Sequence, residues 1–193
     1  MFEGGEAAGK STQAAHLAKA LCAVLTREPG GTPTGERIRA LLLDPAVPTL
    51  DRRTEVLLLL AARAQHVVEV IIPALERGRD VVCDRFSGST VAYQGYGRGL
   101  DPEELARLSV WASAGIEPDR VVLLQTSEAV AADRLARRAD GVDRIEGAGA
   151  AFFSKVDEGY RALAVAHPDV WRVIDGSGTE DEVAVRVAEA AQP

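Results

Sequence analysis

The chain has few cysteines, no apolar run long enough to cross a membrane and no excess of basic residues. Its two cysteines among 193 residues, Cys22 and Cys83, lie far apart and lack metal-ligand spacing. That pattern argues against a disulfide framework and against a structural zinc site. Both cysteines sit in apolar runs, so we expect two buried free thiols in a reducing cytoplasm.

Charge and hydropathy exclude two further classes. The formal net charge is −7, whereas broad binding of nucleic acid requires a basic face, so we expect no nucleic-acid partner. The apolar run 56–62 is too short, and too closely flanked by charge, to span a bilayer. No signal peptide is recognisable. We therefore expect neither a membrane partner nor export from the cytoplasm.

The composition is that of one globular domain, 47% apolar and 26% charged, over residues 1–193. Short apolar runs alternate with helical patterns, which predicts an α/β fold with five parallel strands, each followed by a helix. A short strand at 1–3 is followed by strands at 22–26, 80–83, 121–125 and 170–174. Helices are predicted at 12–21, 34–43, 51–77 (with a break possible at Pro73), 89–96, 102–114, 127–138, 150–166 and 180–190.

A phosphate-binding P-loop opens the chain. The stretch Gly4, Gly5, Glu6, Ala7, Ala8, Gly9, Lys10, Ser11 and Thr12 contains the pattern G-x-x-x-x-G-K-[ST]. Inward-turned backbone amides and the amino end of the next helix form a nest for polyphosphate. Lys10 can reach the β- and γ-phosphates, and the Ser11 hydroxyl can ligand Mg²⁺.

Arginine and acidic residues follow several predicted strands, where ligands of such sheets bind. They include the stretch 27–31 (REPGG), the pair Asp84 and Arg85, and four arginines between 134 and 144. Arg63 lies in the most apolar helix, one turn after Leu59. A buried charge needs a partner. Arg63 therefore forms a structural salt bridge, with Glu55 or Glu69, or donates hydrogen bonds to a bound base.

With these residues in place, the sequence resembles the bacterial thymidylate kinases, a family of P-loop nucleoside-monophosphate kinases. The resemblance covers nearly the whole chain in family order. It is carried by EGGE…GKST (3–12), TREPGGT (26–32), RALLL (39–43), AARAQ (61–65), DRF (84–86), STVAYQG (89–95) and DRIE (143–146).

The resemblance implies a three-layer P-loop fold with sheet order 2-3-1-4-5 and a mobile lid over the phosphates, near residues 134–148. It implies transfer of a phosphoryl group from ATP to dTMP with Mg²⁺ as cofactor. Members are usually homodimers, and the apolar helix around 56–72 could supply the dimer face.

Site residues follow from the same resemblance. Some members place a catalytic arginine in the P-loop and others in the lid; here the P-loop carries Glu6, Ala7 and Ala8 instead. The implied catalytic residues are Lys10, Arg85, Arg137 and Arg138. The implied dTMP-binding residues are Glu28, Arg39 and Arg85 around the phosphate, Arg63 and Leu59 at the thymine, and Thr90, Tyr93 and Gln94 along the nucleoside. Tyr93 would stand where a ribose 2′-OH projects, and residues 90, 93, 94 and 97 would share one helical face.

The sequence departs from the family at several points. The first strand is very short, Ala7 replaces a common glycine and should tighten the loop without a positive φ, and Leu59 replaces an aromatic residue. Only residues 22–23 separate the first helix from the following apolar run. Two alternatives stay open: a kinase for another monophosphate, and a nucleotide-binding module that has lost catalysis. A GTPase would need a guanine-reading N-K-x-D stretch, which the sequence lacks.

Overall fold

Five parallel strands form one sheet at the centre of the protein, in the order β2-β3-β1-β4-β5, which confirms the predicted topology. The structure is a computed structural model that describes residues 1–47, 49–137 and 143–192. The strands are β1 (Phe2–Glu3), β2 (Val24–Arg27), β3 (Val81–Asp84), β4 (Val121–Gln125) and β5 (Trp171–Asp175).

Helices pack on both sides of this sheet. They are α1 (Lys10–Leu21), α2 (Pro33–Leu43), α3 (Arg52–His66), α4 (Ile72–Glu76), α5 (Ser87–Thr90), α6 (Pro102–Ala112), α7 (Glu128–Ala136), α8 (Ala150–Ala166) and α9 (Glu180–Ala190). One short 3₁₀ helix, Glu146–Ala148, precedes α8. Predicted and observed bounds differ mainly at helix ends, where side-chain caps and glycines set the last turn.

The two-residue strand β1 is sufficient to hold the centre of the sheet. Phe2 pairs with Asp84 on one side and with Val122 on the other. The Phe2 side chain is fully buried. Glu3 is also buried, and its carboxylate accepts hydrogen bonds from the backbone N–H groups of Phe86 and Ser89. A short strand with both edges paired and its charge fully bonded remains a core strand.

The short connection between α1 and β2 is a left-handed helix cap. Cys22 has φ 53°, its N–H lies 3.4 Å from the Lys19 carbonyl, and Ala23 N–H donates to the Ala18 carbonyl at 2.9 Å. This pair of bonds is the Schellman arrangement, which ends a helix within two residues. The prediction of a strand from residue 22 and of a buried Cys22 is therefore wrong: Cys22 is exposed, whereas Cys83 is buried.

Two helices contain π-helical turns that the sequence pattern does not predict. Between α3 and α4 the turn Val67–Ile71 is π-helical, so the chain stays helical through Pro73 instead of breaking there. The helix begun by α5 continues as the π-helical segment Val91–Gly97. A wider turn changes which residues share a face. Gly97 packs on the Phe152 ring, which Tyr93 also contacts.

Within the described residues, one continuous helix, Arg52–Glu76, is long and apolar enough to cross a membrane when judged by length and hydropathy alone. Buried helices of globular proteins pass the same test. This helix buries three polar side chains, Glu55, Arg63 and His66, against the rest of the protein. These three side chains form hydrogen bonds with other parts of the protein. This side of the helix therefore packs in the protein core.

Candidate active site

The P-loop joins β1 to α1, and its backbone geometry explains its glycines. Gly4 has φ 139°, and a Cβ there would lie 2.3 Å from the Leu124 carbonyl oxygen, so only glycine fits. Gly9 also has a positive φ, 96°. Ala7 has φ 55°, which contradicts the expectation that alanine avoids the left-handed conformation here. The loop thus holds some strain at Ala7.

Lys10 lies at the first position of α1 and folds back over the loop. Its ammonium donates to the Gly5 carbonyl at 2.5 Å, and the side chain is buried. Burial, and secondarily the positive charge of Arg85, lowers the pKa of Lys10 to about 8. A desolvated ammonium beside backbone amides is suited to meet an anion.

The next residue links the P-loop to β3. The Ser11 hydroxyl donates to Asp84 Oδ2 at 2.5 Å. The second oxygen, Asp84 Oδ1, is buried and has no hydrogen-bond partner among the described residues. A buried carboxylate oxygen without a donor beside a hydroxyl is the donor set of a hard divalent cation such as Mg²⁺. Thr12, the last residue of the motif, is exposed on α1.

A cavity opens beside the P-loop, at the carboxyl ends of β2 and β3. All eight residues predicted to contact the acceptor line this cavity: Glu28, Arg39, Leu59, Arg63, Arg85, Thr90, Tyr93 and Gln94. Glu6 of the P-loop lines it as well, so the cavity and the loop share a wall.

Arg63 forms the buried floor of the cavity. Its Nε donates to Glu28 Oε2 at 2.8 Å, Nη2 donates to Thr90 Oγ1 at 2.9 Å, and Nη1 donates to Ser109 Oγ at 3.1 Å. Both members of the ion pair are at most 6% exposed. Arg63 is therefore paired with Glu28, and the predicted partners Glu55 and Glu69 are wrong. The pairing leaves the guanidinium plane fixed against the Phe86 ring.

Arg85 lies where the cavity meets the P-loop. Its guanidinium donates to Glu6 Oε1 at 2.6 Å, to the Gly4 carbonyl at 3.1 Å and to the Tyr93 hydroxyl at 3.0 Å. The Tyr93 hydroxyl donates in turn to Glu6 Oε1 at 2.7 Å. Burial raises the pKa of Tyr93, so the phenol stays neutral. The Arg85 guanidinium and the neutral Tyr93 hydroxyl therefore face the same part of the cavity, beside Glu6.

The other cavity walls are apolar or belong to a second polar cluster. Leu59 is half-buried on the inner face of α3. Gln94 donates to Glu55 Oε1 at 2.9 Å, and Arg144 donates to Glu55 Oε2 at 2.7 Å. Arg39 donates to the Pro29 carbonyl at 3.0 Å and keeps the loop after β2 against α2. The cavity therefore combines these polar groups with a largely apolar lining.

Of the arginines at 134, 137 and 138 in the segment predicted as the lid, the structure describes two. Arg137 is 77% exposed and pairs with Asp133 on its own helix at 2.9 Å. Arg138 lies outside the described residues. Arg134, which the sequence marked only as one of several basic residues, contacts the P-loop directly: it donates to the carbonyls of Ala7, Ala8 and Gly176 at 3.0–3.2 Å.

Sequence reasoning missed several polar residues that build the site. They are Asp84, Arg134, Ser109, His66 and Glu55. Asp84 carried a signal, since it ends a buried strand beside Arg85. Glu55 and His66 lie eight residues before and three after Arg63, on the buried side of the same helix, and this spacing could have indicated them.

Comparisons with known proteins agree with this geometry. The family model for thymidylate kinase matches residues 2–187. The thymidylate kinase of Pelotomaculum thermopropionicum is 47% identical over 197 residues, which cover 100% of this chain and 91% of that protein. That of Desulfovibrio desulfuricans is 46% identical, with 99% and 93% covered.

A solved structure agrees as well. The crystal structure of thymidylate kinase from Ehrlichia chaffeensis superposes with a TM-score of 0.81 at 31% identity, covering 99% of this chain and 96% of that chain. The family model and these full-length matches show that the chain belongs to the thymidylate kinase family.

Proposed function

We propose that the P-loop and the cavity are the two halves of one active site, in which the γ-phosphoryl group of ATP passes to dTMP to give dTDP and ADP. The observation that carries the proposal is the shared wall. Glu6 and Arg85 belong to both halves, and Arg85 reaches the Gly4 carbonyl of the P-loop while lining the cavity. A phosphate held by Arg85 would face the end of a triphosphate held by the loop.

The cavity supports one orientation of the acceptor. Its phosphate lies toward Arg85 and Arg39, because guanidinium groups bind phosphate oxygens. The base lies toward the buried floor, where Arg63, Thr90 and Gln94 offer hydrogen bonds and Leu59 offers an apolar contact. The Tyr93 ring fills the sugar side of the cavity, where a ribose 2′-OH would need room.

The donor set at the amino end of α1 fits a magnesium ion. The Ser11 hydroxyl and the unpartnered Asp84 Oδ1 are hard oxygen ligands. When bound, the ion neutralises phosphate charge and orients the transferring group. The hydrogen bond from Ser11 to Asp84 holds both side chains at the P-loop. Asp84→Asn should raise the Mg²⁺ concentration needed for half-maximal rate, and an unchanged requirement would remove Asp84 from this role.

The lid supplies the arginines that the P-loop lacks. We assign Arg137 and Arg138 to the transferring phosphoryl group; the exposure of Arg137 supports this, and Arg138 is assigned from sequence alone. Arg134 braces the loop through its carbonyls. Replacement of both lid arginines with Ala should lower kcat more than it raises the KM for dTMP. An unchanged kcat would sink the assignment.

A panel of acceptors tests the function and its specificity. Coupled ADP release is measured with dTMP, dUMP, UMP, AMP and CMP at saturating MgATP. We expect the highest kcat/KM with dTMP. The pair dTMP and dUMP isolates the 5-methyl group, and the pair dUMP and UMP isolates the 2′-OH beside Tyr93. Equal values for dUMP and UMP would contradict the role of Tyr93, and a preference for AMP or CMP would contradict the function.

An exposed apolar stripe supports a homodimer. Leu57 is 64% exposed and Val68 is 57% exposed, and with Ala61 and Ala64 between them they recur at helical spacing on α3 and its π-helical extension. Contiguous apolar surface of this kind marks an interface. Leu57→Lys should convert a dimer to a monomer in sedimentation analysis, whereas Val165→Lys, at the exposed end of α8, should not. The unpaired thiols support a cytoplasmic location.

A further inference from the structure

His66 is fully buried behind the acceptor cavity and does not line it. It is the last residue of α3, one turn after Arg63 and on the same side of the helix. Its Nδ1 lies 3.0 Å from Glu28 Oε1, and its Nε2 lies 2.6 Å from Thr26 Oγ1. The imidazole therefore joins strand β2 to the carboxylate that pairs with Arg63.

The partner of Nδ1 determines the role of that nitrogen. Glu28 and Arg63 form a buried ion pair, and the second oxygen of the Glu28 carboxylate faces His66 Nδ1. Because a carboxylate only accepts hydrogen bonds, Nδ1 carries a proton and donates it to Glu28.

The imidazole also limits movement of the loop after β2. A Cβ at Gly31 would lie 2.8 Å from His66 Cδ2 and 2.8 Å from Thr26 Oγ1. Gly31 has φ 78°, so glycine is needed here for the backbone conformation as well as for space. The backbone around Gly31 thus packs directly on the ring. The ring fixes the Glu28 carboxylate on one side and the loop on the other.

We propose that His66 is a positioning residue of the acceptor site: its Nδ1–H holds the Glu28 carboxylate in the rotation that fixes Arg63 for the acceptor base. The proposal rests on the proposed acceptor site. Glu28 has one oxygen on His66 and the other on Arg63. Without the Nδ1 donor the carboxylate is free to turn, and the Arg63 guanidinium loses its fixed plane. The P-loop has no contact in this chain of bonds, so ATP binding is unaffected.

Two isosteric substitutions separate the two sides of the ring. The amide nitrogen of Asn can occupy the place of Nδ1, and that of Gln can occupy the place of Nε2. His66→Asn keeps the donor to Glu28, whereas His66→Gln keeps a group facing Thr26 and loses that donor. Thr26→Val is the matched control, because it removes one buried hydrogen bond of His66 without touching Glu28.

We expect His66→Gln to raise the KM for dTMP about tenfold, with the KM for ATP unchanged, as for loss of one hydrogen bond to a buried charge. His66→Asn should restore most of the affinity. Thr26→Val should lower the melting temperature comparably to His66→Gln and leave the KM for dTMP unchanged. Equal KM effects from all three variants, or a parallel rise in the KM for ATP, would reduce His66 to a structural role.

Two further measurements keep the outcomes distinct. Glu28→Gln should itself raise the KM for dTMP; if it does not, the acceptor site is misplaced, whereas a large Glu28 effect with no His66→Gln effect overturns the positioning role alone. In the wild-type protein, ¹⁵N NMR of the three histidines should show one buried ring with its proton on Nδ1. A buried ring with no proton on Nδ1 would overturn the proposal even if the variants fail to fold.

Discussion

The two halves of the site are held together by different kinds of bond. Side chains support the acceptor cavity: Glu28 bonds to both Arg63 and His66 below the surface. Backbone builds the phosphate side, where glycines set the loop and Arg134 and Lys10 bond to carbonyl oxygens. The acceptor half therefore depends on buried bonds between side chains, and the phosphate half on the conformation and carbonyl groups of the backbone.

This contrast predicts how substitutions divide between stability and activity. Removing one member of a buried ion pair leaves an uncompensated charge, so changes in the acceptor half should reduce stability and affinity together. Changes at a loop group that faces a ligand should reduce activity alone. Substitutions in each half therefore test whether the two halves contribute separately to stability and to activity.

The largest effect on rate should come from Lys10→Ala. This substitution removes the ammonium that meets the transferring phosphates, and we expect kcat/KM to fall by about 10³-fold or more, beyond the loss of a single transition-state donor. The melting temperature should stay constant or rise slightly, because burial already lowers the pKa of this group. Steady-state kinetics and a thermal melt are the measurements. Lys19→Ala, on the exposed side of the same helix, is the control; a Lys10 variant as active as this control would contradict the assignment.

Arg63→Met, in contrast to Lys10→Ala, should reduce stability as well as affinity for dTMP. It leaves Glu28 buried beside His66 without its cation, so the free energy of unfolding should fall by about 3–5 kcal/mol. The KM for dTMP should rise at least about tenfold, while the KM for ATP stays constant. Arg53→Met removes an exposed ion pair from the same helix and should change neither quantity measurably. A stable Arg63 variant would show that the acceptor half does not depend on this buried ion pair.

The pH dependence should also differ between the halves. The pKa of Lys10 in the free enzyme is lowered from 10.5 to about 8, chiefly by burial. Below pH 8 the ammonium is present, and above it the neutral amine cannot attract phosphate. The kcat/KM for ATP reports the free enzyme, so it should fall by up to about tenfold per pH unit above pH 8.

The contribution of Lys10 to stability changes with pH in the opposite direction to kcat/KM. Between pH 8 and 10.5 the unfolded chain holds the Lys10 proton more tightly than the folded protein does. The contribution of Lys10 to the free energy of unfolding therefore rises with pH in this window. Bound ATP should raise the pKa of the ammonium, so kcat at saturating ATP should stay level. A level kcat/KM for ATP up to pH 9.5 would contradict a lowered pKa.

The resemblance to the thymidylate kinases implied the sheet order and the eight residues that line the cavity, because both follow the family's motifs along the chain. The sequence did not predict the partner of Arg63, since Glu28 lies 35 residues away and only the fold brings them together. The exposure of Cys22 was not predicted either, because the alanine-rich sequence around it gives no sign of the left-handed helix cap. The π-helical turns escaped prediction for a related reason: local propensity describes regular helices, whereas packing selects the wider turn.

The smallest expected effect tests an apolar residue of the acceptor half. Leu59 is half-buried and lines the cavity. Stacking of a base on an aromatic ring contributes about 1–3 kcal/mol relative to alanine in single-strand binders. Leucine already provides apolar contact, so Leu59→Phe should gain on the order of 1 kcal/mol, which lowers the KM for dTMP by up to about tenfold.

The competing effect of Leu59→Phe is overpacking, because an enlarged side chain in a filled core costs about 1–3 kcal/mol of stability. A thermal melt separates the two effects. Leu21→Phe is the matched control, since the same substitution there falls on an exposed position at the end of α1 and should change neither the KM nor the melting temperature. The KM for ATP should stay constant in both variants. A destabilised Leu59→Phe protein with unaltered affinity for dTMP would place Leu59 in the core, and the base would then lie against Arg63 without an apolar wall at this position.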